Sequence, residues 1–247
     1  MPCCGFKALM AATLLMMLGL CSCQRSPGAG SVMGDTGAAV GPAVQVDRLS
    51  VLRATDQPGC ALADTPRHFG FPQDHGPHPS FRQEWWYLTG QLHAVGGQVF
   101  GFELTFFRLA LTPPGAPGNA AVSAWRARQV YAAHFAITDI SDGRFYNATR
   151  YARDALGLAG AQAQPFAVHV DDWSVAQAPG AVPAGAAPAP ITLHWQLRAA
   201  DGDYRLQLDL SSDLPPVLNG VAGLSRKADA VGAAIYYYSM PRLKATG

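Results

Sequence analysis

Four side chains that can exchange protons lie within a short stretch before an aromatic segment of the sequence: Asp74, His75, His78 and Glu84. An acid kept neutral by burial can protonate a substrate, and an imidazole can gain or lose a proton near neutral pH. We therefore expect several proton-transfer groups to gather at one end of the fold. Asp74 and Glu84 are the candidate catalytic acids.

The spacing of these residues is not typical of a metal site. His75 and His78 are not the helical His-x-x-x-His pair that binds zinc, and Pro77 and Pro79 hold the segment extended. The chain also has no Gly-x-Ser-x-Gly nucleophile elbow and no phosphate-binding glycine loop. We predict no metal and no cofactor. An alternative role for the Asp-His pair is a rigid turn whose side chains cap backbone groups.

The aromatic segment predicts a β-hairpin of strands Leu88–Ala94 and Val99–Leu109, but two registers are possible. A two-residue loop of Gly96 and Gly97 sets polar residues opposite the apolar face of the second strand. A three-residue loop that adds Val95 pairs apolar residues with each other, so we favour it, since a slip of one residue exchanges the faces of the strand.

The favoured register has consequences for the candidate site. It places Trp86 opposite Phe106 and turns it inward, while its neighbour Trp85 points outward. It also places Glu84 opposite Arg108, which favours a salt bridge over catalysis as the role of Glu84.

Further strand and turn signals recur along the chain without a long amphipathic helix. The fold class predicted is therefore all-β, an antiparallel barrel or sandwich. The additional strands expected are Val130–Ile140 with Arg144–Tyr151, Ile191–Ala199 with Tyr204–Leu210, a short pair or one bulged strand over Phe166–Val170 and Trp173–Val175, and Ala234–Ser239.

The N-terminus predicts export. Residues 1–22 combine one lysine, an apolar run too short to span a bilayer, and a small-residue exit, as in a signal peptide. The residues before Cys23 resemble a bacterial lipobox, which predicts lipidation of Cys23; plain secretion is the alternative. Gln24 then favours the periplasmic side of the outer membrane. Residues 23–43 are expected to form a flexible tether and residues 44–247 the folded β domain.

The charge of the predicted mature chain restricts its partners. Removal of the signal peptide takes away Lys7, which leaves 17 basic residues of the original 18 against 17 acidic residues. A formally neutral chain argues against nucleic acid and anionic lipid surfaces as partners.

An ordered set of motifs resembles the AttH/CrtC family of secreted lipocalin-like proteins, which includes carotenoid 1,2-hydratases and predicted secreted hydrolases. The set runs from the aromatic segment at residues 71–111 through Ser123-Ala124-Trp125, Asp171-Asp172-Trp173, Gly223-Leu224-Ser225-Arg226-Lys227 and Tyr236-Tyr237-Tyr238-Ser239. The resemblance implies two lipocalin-like domains in tandem with an apolar ligand site between or within them. It also implies that this chain corresponds to the first domain, with residues 220–247 leading toward the second.

The resemblance also implies a function, in one of two forms. In the first, the protein binds an apolar or isoprenoid-like ligand, and full-length members of the family act on it as a hydratase or hydrolase. In the hydratase reaction a buried acid protonates an alkene, and aromatic faces stabilise the resulting cation. In the second, the protein is a non-enzymatic accessory of an envelope ABC transporter. The residues predicted to bind the ligand are His75, Trp86, Tyr87, Phe102, Phe106, Arg108 and Tyr237.

Overall fold

The structure, a computed structural model, describes residues 58–115, 125–180 and 193–247. The predicted signal peptide, Cys23 and the tether lie outside these residues. Within them, no helix has the length and apolar character needed to cross a membrane.

Sheet 1 contains four antiparallel strands in the order β1-β2-β3-β4. They are β1 (Gln83–His93), β2 (Val99–Ala110), β3 (Gln129–Asp139) and β4 (Arg144–Arg153). Exposure alternates strictly along β1, because successive side chains of a strand point to opposite faces. A 3-10 helix, Gln73–His75, precedes β1.

The favoured register of the first hairpin is confirmed. Trp86 lies opposite Phe106, and Glu84 lies opposite Arg108. Gly97 closes the turn at a φ of +85°, a left-handed conformation that favours glycine. Trp86 packs against the core, whereas 39% of the surface of Trp85 is exposed.

The remaining strands follow in chain order. They are β5 (Ala159–Gln162), β6 (Ala167–Val170), β7 (Trp173–Gln177), β8 (Leu193–Asp201), β9 (Tyr204–Ser212), β10 (Val217–Leu218), β11 (Leu224–Arg226), β12 (Ala234–Tyr236), β13 (Tyr238–Ser239) and β14 (Lys244–Thr246). Sheet 2 has the order β14-β9-β8-β7-β6-β5, and β10-β13 and β11-β12 form two small ribbons. The segment predicted as a pair or one bulged strand is the pair β6 and β7.

The core lies between the inner faces of the two sheets. Phe106 and Phe135 of sheet 1 and Trp173 and Leu197 of sheet 2 are all essentially inaccessible to solvent and belong to one apolar cluster. The predicted all-β antiparallel class is confirmed, and the fold is lipocalin-like. Of the two predicted forms, a barrel or a sandwich, the barrel is not formed, because the sheets are not closed. Sheet 1 therefore has β1 and β4 as its edge strands, and sheet 2 has β14 and β5.

Candidate ligand cavity

A cavity of about 760 Å³ lies beside the edge strand β1. This volume falls in the range of roughly 300–1,000 Å³ that is common for small-molecule sites. Both sheets and the segment around β12 and β13 supply its apolar wall, which includes Trp86, Leu88, Leu92, Phe102, Phe166, Trp195, Leu210, Tyr238 and Leu243.

Strand geometry explains how residues far apart in sequence meet at this wall. Trp86 and Leu88 share one face of β1 because of the two-residue period. On sheet 2, Trp195 lies opposite Leu210 in the β8-β9 ladder. The ring of Phe166, just before β6, lies 4.4 Å from that of Trp195, measured between ring centroids. The cavity therefore depends on both sheets.

One end of the cavity is lined by a hydrogen-bonded chain of three titratable side chains, Asp74, His78 and Glu84. His78 Nε2 lies 2.6 Å from Asp74 Oδ1, and His78 Nδ1 lies 2.6 Å from Glu84 Oε1. The backbone N–H of His78 also donates to Glu84 Oε2. The sequence prediction that proton-transfer groups gather here is thus met by these three residues.

An arginine lies at each end of this hydrogen-bonded chain of side chains. Arg67 Nη2 donates to Asp74 Oδ1 at 2.7 Å, and its guanidinium lies over the ring of Phe69. Arg108, only 1% exposed, donates through Nε to Glu84 Oε2 at 3.1 Å and through Nη2 to the carbonyls of His78 and Phe81. Arg108 therefore joins β2 to the segment that precedes β1.

These contacts determine the charge of His78. The hydrogen bond to Glu84 raises the pKa of His78 against the opposing effect of burial, and the hydrogen bond to Asp74 raises it further. Both ring nitrogens face carboxylate oxygens, and both can donate only in the imidazolium form. Burial alone would raise the pKa of Asp74, but hydrogen bonds from Arg67, His78 and Gly70 hold it below its usual value.

His75 has a different environment from His78. Its ring lies among the rings of Phe71, Trp195 and Tyr238 and hydrogen-bonds through Nδ1 to the Tyr238 hydroxyl at 2.9 Å. Burial lowers the pKa of His75 to about 4, although the nearby Asp74 charge partly opposes this. Burial likewise raises the pKa of Tyr238. His75 is therefore neutral at physiological pH. Its carbonyl also accepts a hydrogen bond from Trp86 Nε1.

The hydrogen bonds of Asp74 and Glu84 suit carboxylate anions. Both oxygens of each side chain accept hydrogen bonds from neighbouring donors. A proton on any of these oxygens would face a donor, so the arrangement opposes the protonated form that a general acid needs. The catalytic roles of Asp74 and Glu84 stay predictions.

The structure divides the residues predicted to bind a ligand. Trp86, Tyr87, Phe102 and Tyr237 border the cavity, although Tyr87 lies on the outer face of β1 and is 48% exposed. The other three are buried and do not line the cavity: His75, Phe106 and Arg108.

Sequence reasoning missed several cavity residues. Phe166 and Trp195 fell on predicted strands, but nothing local indicated that they would meet β1. Arg67 lies outside the aromatic segment and had no distinguishing pattern. Among the described residues, no three or more His, Cys, Asp or Glu side chains are placed to hold a metal ion.

The two facing antiparallel sheets with a lateral cavity define a lipocalin-like protein. The AttH-like family profile matches residues 62–247, and the chain belongs to this family, which confirms the resemblance seen in the sequence. A crystal structure from Nitrosomonas europaea, described as a candidate AttH protein, is 31% identical with a TM-score of 0.61. The match covers 76% of this chain and 51% of that one, so this chain spans about half of the relative. The search of curated proteins found no match.

Proposed function

We propose that this protein binds an apolar ligand in the cavity beside β1. The observation that carries the proposal is the cavity itself. Much of its wall is formed by aromatic and aliphatic side chains, and the hydrogen-bonded Asp74–His78–Glu84 chain lies at one end. A mainly apolar cavity with a few fixed polar groups is the usual form of a small-molecule site. An apolar or isoprenoid-like ligand fits this description.

The proposal favours binding over acid catalysis by this part of the protein. Hydration of an alkene requires a protonated acid, whereas Asp74 and Glu84 are hydrogen-bonded as carboxylates. The same two carboxylates lie on either side of the His78 ring and raise the pKa of His78, which favours a proton on the imidazole. The contacts thus support a fixed polar end rather than a poised proton donor.

A cavity-filling substitution tests this function. Leu243 borders the cavity and packs against the core, so Leu243→Trp should occupy ligand space. We expect N-phenyl-1-naphthylamine, a neutral apolar fluorophore, to brighten on binding the wild-type protein and to bind Leu243→Trp at least about tenfold more weakly, since overpacking opposes entry.

The matched control is Ile140→Trp, at an exposed position in the turn after β3. It adds the same side chain outside the cavity and should leave the affinity unchanged. Equal affinity of both variants and the wild-type protein would place the fluorophore elsewhere and contradict the proposed site.

We also propose that the protein is an envelope lipoprotein anchored through Cys23, on the strength of its lipobox-like sequence. Radiolabelled palmitate should label the protein in a bacterial host, and Cys23→Ala should abolish the label. Continued labelling of Cys23→Ala, or an unlabelled wild-type protein, would refute the anchor.

A further inference from the structure

We infer that the ligand of this cavity is an amphiphile, with an apolar tail and an anionic head that binds Arg67. This inference rests on the proposed function, since it assigns a chemical class to the ligand of the same cavity. Arg67 lines the cavity next to the hydrogen-bonded Asp74–His78–Glu84 chain, where the head of a ligand would lie.

The first argument is an excess of donors at Asp74. Arg67 Nη2 and His78 Nε2 both point at one oxygen, Asp74 Oδ1, at 2.7 and 2.6 Å. The two nitrogens are only 3.2 Å apart. Because both ring nitrogens of His78 face carboxylate oxygens, which suits the imidazolium form, two cationic groups meet over one carboxylate oxygen. A second anion beside Arg67 would relieve this repulsion.

The second argument is the remaining hydrogen-bonding capacity of Arg67. Its Nη1 donates to the carbonyl of His68 and its Nη2 to Asp74, while its Nε is buried without a hydrogen-bond partner among the described residues. A guanidinium has five N–H donors, arranged to bind a carboxylate or a phosphate in a bidentate manner. The Arg67 side chain is 28% exposed, so its Nη groups, rather than the buried Nε, can donate to a further anionic partner.

The third argument is the charge of the whole cavity lining. Among the described residues that line it, four are basic, Arg67, His78, Arg82 and Arg242, and two are acidic, Asp74 and Glu84. Buried Arg108 adds another positive charge directly behind Glu84. A cavity lined by an excess of one charge concentrates ligands of the opposite charge.

The tail would extend from this end along β1. Leu88 and Gly90 follow Glu84 by four and six residues on the same face, and Phe102 lies opposite Gly90. At about 3.4 Å per residue these positions lie roughly 14 and 20 Å from Glu84. The distances suit a single extended alkyl chain whose head is at Arg67.

The test compares laurate with dodecanol, which share a twelve-carbon chain and differ in the head, as competitors of bound N-phenyl-1-naphthylamine at pH 7. We expect laurate to bind about tenfold more tightly in low salt, because a charge-assisted pair with Arg67 is worth about this factor. The preference should shrink in 1 M NaCl. Acetate, a head without a tail, should not displace the fluorophore.

Three variants separate charge from structure. Arg67→Gln should reduce laurate binding to the level of dodecanol without changing dodecanol binding, and Arg67→Lys should retain part of the preference. Arg205→Gln, on an exposed position of β9, is the matched control and should behave as the wild-type protein does.

If laurate and dodecanol bind equally well, the anionic head is refuted while the apolar site stands. If neither competitor nor the fluorophore binds, the proposed function fails as well.

Discussion

Glu84→Gln is expected to lower the free energy of unfolding by about 3 kcal/mol, the low end of the cost of removing one partner from a buried ion pair. Glu84 accepts hydrogen bonds from Arg108 Nε and from the ring and backbone nitrogens of His78. An amide in its place must turn an NH₂ group toward one of these donors. Arg108, which is almost wholly buried, would then lack its counter-charge.

Urea unfolding at pH 7 measures this effect. Asp142→Asn is the matched control, because it removes an exposed carboxylate from the surface ion pair with Arg144 and should cost less than about 1 kcal/mol. The double variant Glu84→Gln/Arg108→Met should lose less stability than the two single losses combined, since the residues are coupled. A loss below about 1 kcal/mol for Glu84→Gln, or strict additivity, would contradict the pairing.

His75→Gln is expected to remove a large part of the acid sensitivity of the fold. The pKa of His75 falls from 6.5 to about 4 on burial. A lowered pKa means that the stabilising contribution is fully present above pH 6.5 and is lost as the pH falls through about 4. From that shift the wild-type protein should lose about 3 kcal/mol between pH 7 and 4 through His75 alone.

Other titratable groups change the stability of the fold in the opposite direction or in a different pH range, or are unchanged in the variant. The raised pKa of His78 gives a contribution that is present below pH 6.5 and is lost as the pH rises through its folded pKa. The lowered pKa of Asp74 matters only as the pH falls through values below 3.8. His134, whose pKa burial also lowers, acts in the same direction as His75 but is unchanged in the variant.

The measurement is the free energy of unfolding at pH 7 and at pH 4 for both proteins. Glutamine can keep a hydrogen bond to the Tyr238 hydroxyl but cannot gain a proton. Any cost of the substitution itself appears at both pH values and cancels. Equal losses for His75→Gln and the wild-type protein would show that the buried imidazole does not control acid stability.

The sequence predicted local pairing well because that pairing is governed by a simple rule. Inward apolar residues of β1 must face inward apolar residues of β2, and only one loop length allows this, which placed Glu84 opposite Arg108. Strand β5 was missed because its sequence Ala-Gly-Ala-Gln lacks β-branched and aromatic residues. Pairing with β6 makes it a strand.

The candidate site was predicted only where its residues are close in sequence. Asp74, His75, His78 and Glu84 were expected to gather, and three of them, Asp74, His78 and Glu84, form one hydrogen-bonded chain. That His75 would turn away into an aromatic cluster could not be seen, because Trp195 and Tyr238 come from strands more than a hundred residues later. Arg67 was also missed, since its role depends on the tertiary contact with Asp74.

A crystal structure of the protein soaked with 12-bromododecanoic acid tests the central claim most directly, since anomalous scattering locates the bromine at the end of the tail. We predict bromine inside the cavity, in contact with Leu88 or Phe102, and a carboxylate beside Arg67. Bromine bound only outside the cavity, or an empty cavity in crystals saturated with the acid, would contradict the account.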